Sequence, residues 1–298
     1  MTNTRPVCFT RSLDVAMSLL QQPGHCIISR LPAKDLLARA KRVTAAACDY
    51  DGTLIAGSQW VAVDQLVPTV FHAQMNASRT WFFSHRDTGT NGMTIDNPDW
   101  FHAVIETSND PIAEAAWVAE TFQIYRDARI HRDQLHQVGT HLIPREGAIH
   151  LLELMKHRVV ISMGIEQVIE SWLRHHAIIS PIAASRLLFE DGLVSGYHFN
   201  LVVGHTKRTA ADRFRKMTNV QETDLLVLGD SAIDATMMYP ESFNVLILPL
   251  GESDARLSEY RLRHIPTMWD KLTLILQSDS LLPLVHLIQS ARTQNTSR

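Results

Sequence analysis

The residues in this sequence that carry the most chemistry are four aspartates, a lysine and a few hydroxyls. Asp49 and Asp51 end the apolar run in "AAACDYDGTLIAG", and Asp230 and Asp234 end another in "LLVLGDSAIDATMM". Aspartate is depleted in strands and seldom buried, so acids at the mouths of apolar runs mark working ends. Clustered carboxylates repel one another and are costly to keep ionised together. A hard cation relieves that cost, and Mg²⁺ takes one or two carboxylates plus waters and phosphate oxygens. Lys207 adds a compact positive charge. Ser162 and Thr53 add hydroxyls, and Gly52, Gly164 and Gly229 permit close approach of the backbone. Carboxylates, Mg²⁺, a lysine and neutral donors together suit phosphoryl transfer, in which charge spreads over the equatorial oxygens. A carboxylate can also be the nucleophile and form an aspartyl phosphate.

The elements that must position these groups are legible from periodicity. Leu13, Ala16, Met17 and Leu20 fit one helical face, and Leu36, Leu37 and Ala40 fit another, with Pro23-Gly24 between them. Residues 1–42 therefore read as an N-terminal helical extension. A strand runs through Val43 to Cys48. In 56–142 the pattern changes: "DQLVPTVFHAQM" and "PIAEAAWVAETFQIYRDARI" read as helices, and this block holds Trp60, Trp81, Trp100 and Trp117. From Pro144 helices and strands alternate. "REGAIHLLELMKH", "IEQVIESWLRHH" and "TKRTAADRFRKM" read as helices. "RVVISMG", "DLLVLGD" and "NVLILPLG" read as strands, and "RLLFEDGLVSGYHF" as a hairpin turning at Asp191-Gly192. The tail "DKLTLILQSDSLLPLVHLIQSA" reads as helical. Alternation of this kind predicts an α/β fold with a parallel sheet and helices on both faces, built from 43–55 and 143–298. Ligands of such sheets bind beyond the carboxyl ends of strands. Three predicted strands end there in polar groups: Cys48-Asp49, Ile161-Ser162 and Gly229-Asp230.

Composition narrows the function classes. The chain has 298 residues and a formal net charge of -3, so no basic face points to nucleic acid. No apolar run reaches membrane-spanning length. Cys8, Cys26 and Cys48 have no metal spacing, and a sparse odd set suits a reducing, cytoplasmic setting. The 15 histidines include no HxH or HExxH pattern, so they read as structural. Taken alone, Asp49 and Asp51 also fit a solvated turn, and Asp230 and Asp234 fit a helix cap.

"DYDGT" (49–53), the serine of "VVISMG" (162), Lys207 in "GHTKRTAADRF" and "LGDSAIDATMM" (228–238) resemble, in order, the four motifs of the haloacid dehalogenase superfamily. "PREGAIHLLELMKHRVVISMGIEQVIESWL" and "ASRLLFEDGLVSG" extend the likeness to its phosphoserine-phosphatase-like branch. The resemblance implies a Rossmann-like sheet with a mostly helical C1-type cap, 56–142, inserted after the first motif. It implies a Mg²⁺-dependent phosphatase acting on a small-molecule phosphate monoester. Asp49 would be the nucleophile and Asp51 the general acid and base, a role worth about 10²–10⁴-fold. Asp49, the backbone carbonyl of Asp51 and Asp230 would hold the metal. Ser162, Lys207, Thr53, Gly52 and Met163 would hold phosphoryl oxygens, and Asp234 would support Lys207 or the metal. Dehalogenases of the superfamily lack the second aspartate, so Asp51 marks a phosphatase.

One departure stands out. Phosphoserine phosphatases place a glutamate shortly after the first motif to meet the substrate's ammonium. Here the residues are Ala56, Gly57, Ser58 and Gln59. L-Phosphoserine is therefore expected to be a poor substrate, with Trp60, Trp81, His85, Arg86 and Trp100 available to an aromatic or anionic one. Transfer of the phosphoryl group to an alcohol, or a retired scaffold that binds a partner, are the competing functions.

Overall fold

The computed structural model describes residues 7–22, 24–85, 113–250 and 255–293. Ten strands are present among them: β1 (Cys8–Phe9), β2 (Cys26–Ser29), β3 (Ala45–Cys48), β4 (His157–Ile165), β5 (Ile182–Ser185), β6 (Leu187–Glu190), β7 (Leu193–Tyr197), β8 (Leu225–Gly229), β9 (Phe243–Leu248) and β10 (Leu274–Gln277). Eight of them form one sheet in the order β1-β2-β10-β9-β8-β3-β4-β5, and β6 and β7 form a separate hairpin. All neighbours in the large sheet are parallel except β2 and β10.

Side chains on the central strands alternate between two apolar layers, as a strand buried on both faces requires. Ala46 and Cys48 of β3, with Leu226 and Leu228 of β8, face one layer. Ala45, Ala47, Leu225 and Val227 face the other. The first layer is covered by α2 (Ala33–Arg42), α7 (Ala148–Leu154), α8 (Glu166–His175) and α11 (Leu282–Thr293). The second is covered by α1 (Leu13–Leu20), α9 (Gly204–Thr218) and α10 (Ala255–Met268). In α8 the buried Val168, Ile169, Trp172 and Leu173 recur at helical spacing. Asn219, in the left-handed region at φ 55°, ends α9.

A mostly helical insertion leaves the sheet after β3. Its described helices are α3 (Gln59–Asp64), α4 (His72–His85), α5 (Ala113–Asp127) and α6 (Arg132–His141). The chain leaves and returns side by side, with Ile55 bridged to Pro144 and the Arg145 N–H donating to the Leu54 carbonyl at 2.8 Å. The insertion has its own core, including Trp60, Val63, Phe122, Tyr125 and Leu135. This core is shared with Val168 of α8 and with Leu187 and Val194 of the hairpin. The hairpin turns at Asp191 (φ 49°) and Gly192 (φ 81°), the paired left-handed conformations that a two-residue turn demands.

Two sequence expectations need correction. The N-terminal segment is not only helical, because β1 and β2 extend the sheet. "CIIS" is too short to show a period. It becomes a strand because β10 offers an open edge, with Ile28 paired to Ile275. Likewise "LILQ" is β10 rather than the start of a helix. A short apolar run fits either state, and insertion between β9 and β2 decides it. Ile28 is 1 % exposed. Ile28→Ala is expected to destabilise the protein by about 2–5 kcal/mol, read from urea denaturation. An unchanged midpoint would mean that β2 adds nothing to the folded core.

Candidate active site

Parallel register brings the polar strand ends to one edge of the sheet. Cys48 faces Val160 on β4 and Leu228 on β8. The Asp49 N–H continues the ladder onto the Leu228 carbonyl at 2.9 Å. Asp49 is thereby level with the Ile161-Ser162 and Gly229-Asp230 steps. Lys207 reaches the same point from the first turn of α9 and is 2 % exposed. Its Nζ donates to Asp49 Oδ1 at 2.7 Å and to Asp234 Oδ1 at 2.6 Å. Burial alone would lower the Lys207 pKa, but Asp234 and Asp49 outweigh it and hold the ammonium above its ordinary value. Burial pushes the Asp49 carboxyl well up, with the Asp234 charge adding to the rise and Lys207 opposing it.

Each carboxylate is held by donors that fix its plane. Thr53 Oγ1 donates to Asp49 Oδ2 at 3.2 Å. Asp234 Oδ2 accepts from the N–H groups of Asp230 and Ser231, both at 3.1 Å, and from Ser231 Oγ at 3.0 Å. Asp234 therefore caps its loop and anchors Lys207 at once. Asp51 Oδ1 accepts from the Gln59 N–H at 2.5 Å, and its Oδ2 accepts from Gln59 Nε2 at 2.7 Å. Burial raises the Asp51 carboxyl to about 6 against these two bonds, which lower it. Asp230 is raised by burial and lowered by Arg261, whose guanidinium donates to its Oδ2. Ser162 is buried, and its Oγ accepts from the Gly164 N–H at 2.9 Å.

The turn that follows the two catalytic candidates is tight. Gly52 has φ +70°, and a Cβ there would run into Asp230 and Arg261. Arg145, 2 % exposed, grips this loop from below. It donates to the Gly52 carbonyl at 2.6 Å, the Thr53 carbonyl at 3.0 Å and the Ser278 carbonyl at 3.3 Å.

These groups open on a cavity of about 870 Å³ between the sheet edge and the insertion. Asp49, Asp51, Gly52, Ser162, Met163, Lys207, Asp230, Asp234 and Trp60 all line it, so the residues singled out in sequence mostly converge. Thr53, expected on phosphate, does not line it. Its hydroxyl lies fully buried against Asp49. Arg86 and Trp100 lie outside the described residues. The far wall is aromatic: Trp60 and Trp117 have ring centroids 4.8 Å apart, and Phe82 stacks on Trp117 at 4.8 Å.

The donor set fits a divalent cation. Oxygens of Asp49, Asp230 and Asp234 lie within 4.8 Å of one another. When ionised, Asp49, Asp51, Asp230 and Asp234 carry two more charges than the Lys207 and Arg261 groups touching them neutralise. All donors are hard oxygens. Asp234 already takes four donors, whereas Asp49 takes two, so Asp49 and Asp230 are the less encumbered ligands.

Gln59, Arg145 and Arg261 escaped the sequence reading. Only Gln59 lies near a motif, eight residues past Asp51. Arg145 lies in the quoted "PREGAIHLLELMKH" stretch without being singled out there, and Arg261 comes from the distant α10.

A family model for haloacid dehalogenase-like hydrolases matches residues 46–239, more than half of the chain. The chain belongs to the haloacid dehalogenase-like hydrolase family. No curated protein matches its sequence. The fold of this hydrolase is similar to that of cytosolic 5'-nucleotidase IIIB bound to cytidine, with TM-score 0.61 and 16% identity over 94% of this chain and 99% of that one. It is also similar to a substrate-bound phosphoserine phosphatase, with TM-score 0.56 and 12% identity over 82% and 97%. A phosphoserine phosphohydrolase-like protein from Francisella tularensis gives TM-score 0.51 and 13% identity over 83% and 100%.

Lys207→Met removes the buried cation between two buried carboxylates. It is expected to cost about 3–5 kcal/mol at neutral pH. Burial raises the Asp49 carboxyl and Lys207 opposes that rise, so without Lys207 the folded variant binds protons more tightly than the parent and its deficit shrinks as pH falls. Denaturant titrations of the variant and the parent over a pH series check both the size and the sign. A deficit that grows on acidification would mean that the carboxylates are not held together by Lys207.

Proposed function

We propose that this protein is a Mg²⁺-dependent phosphomonoesterase that works through an aspartyl phosphate on Asp49. The observation that carries the reading is the pairing of two differently held acids on one cavity. Asp49 is gripped by Lys207 and Thr53, while Asp51, among the described residues, takes its hydrogen bonds from the amide donors of Gln59. Asp49 attacks phosphorus, and Asp51 protonates the leaving oxygen and then deprotonates the attacking water. Lys207 and Ser162 steady the phosphoryl oxygens. Asp49, Asp230 and the Asp51 carbonyl would hold Mg²⁺, which when bound offsets charge on those oxygens.

The insertion, 56–142, acts as the cap that closes the cavity and excludes water. We infer that the rest of the substrate meets the wall of Trp60, Phe82 and Trp117, which suits a partly aromatic molecule. One structural neighbour carries cytidine, which is consistent with that reading. No described helix is long and apolar enough to cross a membrane, and the cysteines are free. Both fit a cytoplasmic enzyme of small metabolites.

Asp49→Asn keeps the size of the side chain and removes the nucleophile. Phosphate release from p-nitrophenyl phosphate should fall by at least about 10³-fold, with an unchanged circular dichroism spectrum. Parental activity in the purified variant would exclude the aspartyl phosphate. EDTA should stop turnover of the parent and Mg²⁺ should restore it. Full activity in metal-free buffer would exclude the assigned cation.

A further inference from the structure

Gln59 is fully buried at the first turn of α3, where the insertion begins. Its side-chain amide bridges two parts of the site. Nε2 donates to Asp51 Oδ2 at 2.7 Å, and Oε1 accepts from the Ile165 N–H at 2.8 Å. Ile165 ends β4, three residues past Ser162. The backbone N–H of Gln59 takes the other oxygen of Asp51 at 2.5 Å.

The direction of the amide is dictated by its neighbours. A backbone N–H can only donate, so the atom facing Ile165 must be the oxygen. A carboxylate can only accept, so the atom facing Asp51 must be the NH₂ group. A flipped amide would make two repulsive contacts at once. Gly164 completes the arrangement, because a Cβ there would overlap the Gln59 amide. A glutamine, a carboxylate, a strand-end N–H and a glycine without room for a methyl therefore define one conformation of Asp51.

We propose that Gln59 is a positioning residue that presents Asp51 to the leaving oxygen and makes that presentation depend on the seating of the insertion against β4. The inference rests on the phosphatase reading. In the first step an Asp49 oxygen forms a bond to phosphorus as the phosphorus–ester oxygen bond breaks. The bonding pair leaves on the ester oxygen, which takes the Asp51 proton. In the second step the Asp51 carboxylate takes a proton from water as the water oxygen bonds to phosphorus. The phosphorus–Asp49 bond breaks and its electron pair returns to the Asp49 carboxylate. Both proton transfers need Asp51 within hydrogen-bond reach of the reacting oxygen. Loss of alignment in such a step is costly even when the group itself is present.

Leaving-group dependence separates this role from a purely structural one. p-Nitrophenolate departs without a proton, whereas phenolate departs slowly unless it is protonated. The two esters differ little in shape. Gln59→Met keeps the length of the side chain and loses both amide contacts. It should lower kcat/KM for phenyl phosphate at least about tenfold more than for p-nitrophenyl phosphate. Gly164→Ala displaces the amide without changing it and should give the same signature. In a Gln59→Ala background, which vacates that space, Gly164→Ala should cost less than it does in the parent. If Gln59→Met does not fold, Gln59→Glu carries the test, because it keeps the volume and the Ile165 contact but sets a carboxylate against Asp51. Folded variants that lose equally on both esters, or lose nothing, overturn the role of Gln59 and leave the phosphatase reading intact. A parent that releases phosphate from neither ester overturns that reading, and this inference with it.

Discussion

The Lys207 ammonium lies between Asp49 and Asp234 with all three side chains withdrawn from water, and the rest of the site is arranged around that contact. An unpaired carboxylate at this depth would be too costly to keep ionised. Two of them side by side would be worse, as the upward push on Asp49 indicates. One buried cation touching both lets the ends of β3 and β8 approach. The two carboxylates then become a fixed electrostatic frame rather than a liability. Asp234 is held in turn by three donors from the loop after β8, so the anchor of Lys207 cannot drift.

A second layer of cations serves the backbone and the remaining acid. Arg145 enters just where the insertion returns to the sheet, and it satisfies the carbonyls of Gly52 and Thr53 that a tight turn leaves without ladder partners. Arg261 performs the matching service for Asp230. The Gly52 turn, which directly follows Asp51, is also tied by its own N–H to the Gly57 carbonyl at 2.8 Å. The insertion thus contributes more than a roof. Its entry through Gln59 bonds to Asp51, and Arg145 at its return holds the Gly52 and Thr53 carbonyls, so both ends of the insertion are tied to the segment 51–53.

The polar sheet edge goes with haloacid dehalogenase-like membership, and the cavity wall opposite it is aromatic. Lys207, Ser162 and the acids line the near side of the cavity. On the far side of the cavity Trp60, Phe82 and Trp117 pack against one another, each largely buried. Planar surfaces of that kind favour stacking over ion pairing. This agrees with the absence of a glutamate in the stretch from Ala56 to Gln59.

Much of this protein was written locally and could be read locally. β3, β4, β8 and β9 are short apolar runs bounded by turn and helix signals, and the acids that follow β3 and β8 stand out because aspartate has no place in a strand core. The Asp191-Gly192 turn and the amphipathic α8 are equally local, since a dipeptide or a helical face contains its own instruction. The tertiary structure decided what depends on partners far away in sequence. β10 exists as a strand because it lies between β9 and β2, and β2 because β10 and β1 flank it, and a four-residue run cannot announce that alone. Thr53 shares a motif with Asp49 and Asp51, yet its hydroxyl turned inward to Asp49, because the φ of Gly52 sets which way the next residue faces. Gln59, Arg145 and Arg261 acquired their roles only when the insertion, the returning chain and α10 met at one sheet edge. A buried polar group is defined by its partners, and the partners of these three come from segments that only folding brings together.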